Sequence, residues 1–111
     1  MSSSRALDAA VAFPLLVVHV IVAVGGAGAV MLSGSGLDPC SYRPCGDPRW
    51  ADLALDTVLV TAVALPVIDL LLIVVQLVRG RPAWPVPVVL CIVQVVVAVV
   101  CLVLVAQSGP L

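Results

Sequence analysis

Apolar positions along the 111 residues come in three long blocks, separated by two short polar stretches. Neither the two-residue alternation of a half-buried strand nor the mixed pattern of a surface helix runs through these blocks. A mostly apolar run of about 18 residues or more is long enough to cross the hydrocarbon layer of a bilayer as a helix. The blocks predict spans over residues 11–32, 51–78 and 86–106. The expected fold is all-α, an integral membrane three-helix bundle running up, down and up, with residues 1–111 forming a single transmembrane domain.

The polar stretches set the boundaries. Met1 to Ala10 reads as a short polar flank with Arg5 and Asp8, which puts Pro14 in the first turns of span one, where a missing N–H costs little. The start reads as an uncleaved span. Its apolar run exceeds the roughly 7–15 residues of a signal peptide, and no clean A-x-A site follows. The first loop, residues 33–50, is rich in Gly, Pro, Asp and Ser, as a solvated turn region should be. Asp47-Pro48 reads as a helix cap followed by proline at the first helical position. The second loop, residues 79–85, is RGRPAWP, and Gln107-Ser108-Gly109-Pro110 stops span three. Trp50, Trp84, Arg79 and Arg81 stand where interfacial anchors belong.

Composition agrees with this pattern. The chain is 63% hydrophobic and 10% charged, with a mean hydropathy of +1.30. A soluble domain of this size has too much surface to be so apolar. The net charge of −1 offers no electrostatic basis for nucleic-acid binding. Arg5, Arg79 and Arg81 fall on one side of the expected membrane, and Arg43 and Arg49 on the other. This bias predicts a cell-membrane protein with a cytoplasmic N-terminus, a cytoplasmic second loop, an extracytoplasmic first loop and an extracytoplasmic C-terminus.

The cysteines fall into two classes. Cys40 and Cys45 share the first loop, and an oxidising compartment on that side would join them in a disulfide. Closing so short a loop contributes about 2 kcal/mol at most. A zinc site would need more ligands than the loop offers. A redox pair usually shows the tighter C-x-x-C spacing. Cys91 and Cys101 lie inside span three, about 15 Å apart along a helix, too far to bond to each other. They read as small, reduced packing residues.

Polar groups within the spans carry the most information, because ionisable residues there are rare and mark function by default. His19, Asp69 and Gln94 each sit well inside one span. From the Arg5/Arg79 side, their depths are about 10, 15 and 12 Å at 1.5 Å per residue. The three therefore occupy one slab whichever way the chain is inserted. Helix faces agree: Ala12, His19 and Gly26 share one, with Ala23 beside it; Ala62, Asp69 and Gln76 align; Cys91, Gln94, Ala98 and Cys101 form a stripe. Pro66 loosens the backbone one turn before Asp69. A buried cluster of His19, Asp69 and Gln94 is expected. It would serve as packing glue, as a contact for a partner subunit, or as a proton or ion relay.

The first loop with its flanking spans, DPCSYRPCGDPRWAD between valine-rich helices, resembles a class of small multi-pass membrane proteins of actinobacteria. In that class a cysteine-pair loop follows the first span, and an arginine-containing loop with an adjacent tryptophan, here RGRPAW, precedes the last. The resemblance implies a location and a topology, not an activity. Small multidrug transporters have four spans and a glutamate in the first, and three-span phage holins usually end in a basic tail; this chain has neither feature.

No nucleophile–base set, phosphate loop or metal motif is present, so neither an enzyme nor a cofactor is expected. The first functional expectation is a non-enzymatic accessory or assembly subunit, with the lipid bilayer and a membrane-protein partner or further copies of itself as neighbours. The alternative is a small oligomeric transporter or proton-conducting unit using Asp69 and His19. A more distant one is a thiol-redox membrane protein using Cys40 and Cys45.

Overall fold

A computed structural model describes residues 2–110. Three helices, α1 (Ser2–Ser33), α2 (Arg49–Val78) and α3 (Pro85–Gln107), pack pairwise into a slender up-down-up bundle measuring 64 × 17 × 15 Å. All three are long and apolar enough to cross a membrane. At 1.5 Å per residue α3 is about 35 Å long and α1 about 48 Å, against a hydrocarbon layer of about 30 Å. The ends of α1 and α2 therefore overhang α3.

The buried positions recur at three- and four-residue steps, as close helix packing requires. In α1 they are Ala12, His19, Ala23, Ala27 and Val30; in α2, Ala54, Val58, Asp69 and Ile73; in α3, Gln94, Ala98, Cys101 and Val105. Among them Ala12, Ala23, Ala27, Ala54 and Ala98 let the backbones approach. A side chain on Gly26 would stand 3.1 Å from the Ala98 methyl, so α1 and α3 nearly touch there. Outward positions are Val, Leu and Ile, and most are exposed.

Two boundaries differ from the sequence expectation. α1 begins at Ser2, so the polar flank is helical and Pro14 lies well inside the helix. The first loop is not all irregular: Gly34–Ser41 forms a 3₁₀ helix before the chain turns at the cysteines. Pro85 and Pro87 lie in the first turn of α3, where no N–H is needed.

Each end of the bundle is fastened by a side chain that accepts from backbone N–H groups at or just before the start of another helix. At the Arg5 end the Asp8 carboxylate accepts from the backbone N–H of Ala83 at 2.7 Å and of Trp84 at 3.0 Å, tying α1 to the last residues of the second loop, just ahead of α3. At the opposite end the Ser108 hydroxyl accepts from the Ala51 N–H at 2.9 Å and donates to the Asp47 carbonyl at 2.6 Å, tying the exit of α3 to the entry of α2. The Gly46 N–H donates to the Gly109 carbonyl at 3.1 Å. A Cβ at Gly46 would collide with the Gln107 carbonyl, so glycine is required for this approach. Cys40 and Cys45 form a disulfide with a Cα–Cα distance of 5.6 Å, and Cys45 bridges to Pro110.

Asp47 holds the turn into α2. Its carboxylate accepts from the Arg49 backbone N–H at 2.9 Å and pairs with the Arg49 guanidinium at 2.9 Å. The Arg49 backbone N–H, opposed by desolvation and reinforced by the guanidinium charge, holds the Asp47 carboxyl below the ordinary carboxylate range. A lowered carboxyl contributes stability that is present above its unfolded value and is lost as pH falls through the folded one. The stability difference between wild type and D47N is therefore expected to be largest above about pH 5 and to shrink below it. A pH series of thermal unfolding in detergent checks this.

Replacing either long-range tie should cost about 0.5–2 kcal/mol. D8A and S108A act at opposite ends of the rod, so their effects are expected to add. Thermal unfolding of the two single variants and the double variant tests it; an effect of D8A no larger than that of an exposed substitution would contradict the geometry of its tie.

Candidate functional site: a polar triad inside the bundle

α1, α2 and α3 each contribute one polar side chain at a single level. His19, Asp69 and Gln94 are all 0% exposed. His19 Nδ1 lies 2.5 Å from Asp69 Oδ2, and His19 Nε2 lies 3.2 Å from Gln94 Oε1. The imidazole thus spans the gap between a carboxyl on one helix and an amide on another. The structure brings together the three residues that depth and helix face select in the sequence.

The two contacts engage both ring nitrogens of His19, one facing the Asp69 carboxyl and the other the Gln94 amide oxygen, as buried polar groups require. Asp69 Oδ1 and Gln94 Nε2 have no hydrogen-bond partner, leaving one acceptor and one donor open beside the imidazole.

Apolar packing closes the bundle on both sides of the triad. Toward the Arg5 end lies a cluster of Ala12, Ile73 and Ala83 with Leu16, Leu77 and Val86 against it. Toward the disulfide end lies Ala27, Val30, Ala54, Val58, Cys101 and Val105. Three surface grooves lie toward the ends of the rod, and no triad residue lines any of them.

Other sequence-selected residues fall elsewhere. Gln76 donates to the Pro82 carbonyl at 3.4 Å, near the second loop and far from the triad. The Thr61 hydroxyl donates to the Thr57 carbonyl of its own helix at 2.8 Å. Cys101 is buried in the apolar cluster, and Cys91 is half-buried; both are reduced. Trp50 opens α2, where the Arg49 guanidinium lies 5.9 Å from the centre of its ring, and Trp84 directly precedes α3. Both rings are exposed, as are Arg79 and Arg81. Among the described residues no group of three His, Cys or Asp side chains converges as a metal site.

Asp8 and Ser108 are the polar residues that sequence reasoning missed. Each acts on a backbone more than fifty residues away, and neither spacing nor a local motif signals that. Comparison with protein-family models, with curated proteins and with solved structures finds no match.

Direct contact within the triad predicts non-additive stability. H19Q and D69N should each destabilise the bundle, and the double variant should lose less than their sum by about 0.6–1.7 kcal/mol. Unfolding of the three variants in one detergent measures the coupling; strict additivity would rule out a direct His19–Asp69 interaction.

Proposed function

We propose that this protein is a non-enzymatic membrane subunit that supports the assembly of a larger membrane complex. The observation that carries the reading is the distribution of polar and apolar groups. The triad is turned inward and closed off by apolar packing, while the outward faces of all three helices are exposed Val, Leu and Ile. Among the described residues, what lies outside the three helices is the clasped disulfide turn, a loop of six residues between α2 and α3, and the short tail 108–110. Nearly all of the surface available for recognition is thus intramembrane, and it suits lipid and the apolar helices of a neighbour.

The arginine bias favours a cytoplasmic N-terminus and an outside disulfide turn, in a compartment where a disulfide persists. Cys40 and Cys45 then act as a structural staple. Cys40 Sγ contacts the Ser108 carbonyl and Cys45 bridges to Pro110, so the disulfide ties the turn to the tail, as a staple would.

Purification in mild detergent followed by mass spectrometry tests the assembly role. A different membrane protein in fixed stoichiometry is the expected outcome. A pure homo-oligomer would overturn it in favour of a second reading, an oligomeric proton-conducting unit. The observation favouring that reading is the open acceptor and open donor beside His19, which a water molecule could join into a relay. Proton flux into liposomes, with and without D69N, then distinguishes a conductor from a scaffold.

A further inference from the structure

The Arg5 end of the rod carries a groove of about 470 Å³ with two kinds of wall. One is cationic, formed by Arg5 and Arg81. The other is apolar, formed by Leu7, Val11 and the Trp84 ring. Two features make this a formed site. First, Arg5 leans over the second loop, and a side chain on Gly80 would meet its guanidinium at 3.1 Å. Gly80, at φ 71°, holds a left-handed turn that suits glycine and brings the loop under Arg5. Second, the only acid in the groove is already engaged. Both oxygens of Asp8 accept backbone N–H groups of Ala83 and Trp84. Among the described residues neither Arg5 nor Arg81 has a carboxylate within ion-pairing distance.

The groove sits where the helices emerge from their apolar section. Val11 is the first residue of the apolar block of α1, and Arg5 lies about 9 Å further out along the same helix. Cationic groups at the headgroup level, above an apolar wall at the acyl level, match an amphiphile with a negative head. We propose that this groove binds one anionic phospholipid. Its phosphodiester lies between the Arg5 and Arg81 guanidiniums, and the upper part of one acyl chain lies along Leu7, Val11 and Trp84. The planar guanidinium fork suits phosphate oxygens, and Trp84 suits the boundary between headgroup and chain. A net-neutral phospholipid satisfies the same phosphate contacts but brings its own cation against the arginines, so the site selects against it. This assignment does not depend on the proposed assembly role, because it concerns lipid at one end of the rod and not a protein neighbour.

Binding of short-chain phosphatidylglycerol to the full chain in detergent, followed by native mass spectrometry, tests the site. Phosphatidylcholine of the same chain length and inorganic phosphate serve as comparisons. Each arginine near a headgroup is expected to contribute roughly fivefold, so R5Q/R81Q should weaken phosphatidylglycerol binding by about thirtyfold. R49Q, at the opposite end, should leave binding unchanged. V11W keeps both arginines and fills the apolar wall; it should weaken the lipid and leave the weak binding of inorganic phosphate unaltered. Equal binding of phosphatidylcholine, or undiminished binding by R5Q/R81Q, would overturn the proposal. So would an equal loss in R49Q, which would mean general charge attraction. Inorganic phosphate binding as tightly as phosphatidylglycerol would assign the groove to a soluble anion instead.

Discussion

The bridge from Asp69 through His19 to Gln94 sets the relative positions of all three helices. Between the end ties their remaining contacts are mainly apolar, with no direction of their own to fix which turn meets which. In lipid, moreover, no hydrophobic effect drives apolar helices together. A slip of one turn would move a helix by about 5.4 Å and leave a carboxyl, an imidazole or an amide facing hydrocarbon. The triad therefore sets register more than it adds net stability, since burying such groups consumes much of what their contacts return. The small residues at Gly26 and Ala98 are then held where the backbones can approach.

The two end fastenings extend the same logic. Asp8 and Ser108 each accept backbone N–H groups at the entry to a helix that is not their own. They join the bundle where the membrane no longer confines it. The polar level near the middle and the two ties at the ends give three fixed points along a rod 64 Å long. Between them the chain needs only small side chains inside and branched apolar ones outside.

Much of this was legible in the sequence. Three long apolar blocks specify three helices, and residue depth together with helical phase brings His19, Asp69 and Gln94 to one place. Those quantities depend only on spacing within a helix and on spans alternating in direction. What escaped was set by contacts between distant segments. The helical path of residues 2–10 depends on Asp8 meeting the start of α3, and composition alone makes that stretch look like a flank. Pro14 was accordingly placed in a first turn that begins much earlier. The 3₁₀ turn and the clasp at Ser108 likewise depend on neighbours that local pattern does not disclose.

The chain order of the triad has a consequence for how the molecule is made. A protein synthesised from its N-terminus presents His19 first, Asp69 second and Gln94 last. When α2 enters the bilayer its one deeply buried acid finds its imidazole already there, so a two-helix hairpin can carry the two across in contact. Only the weaker amide contact and the Ser108 clasp wait for α3. The most lipid-averse side chain is thus supplied with its partner in advance, and the last helix to arrive secures an arrangement that the first two have already begun.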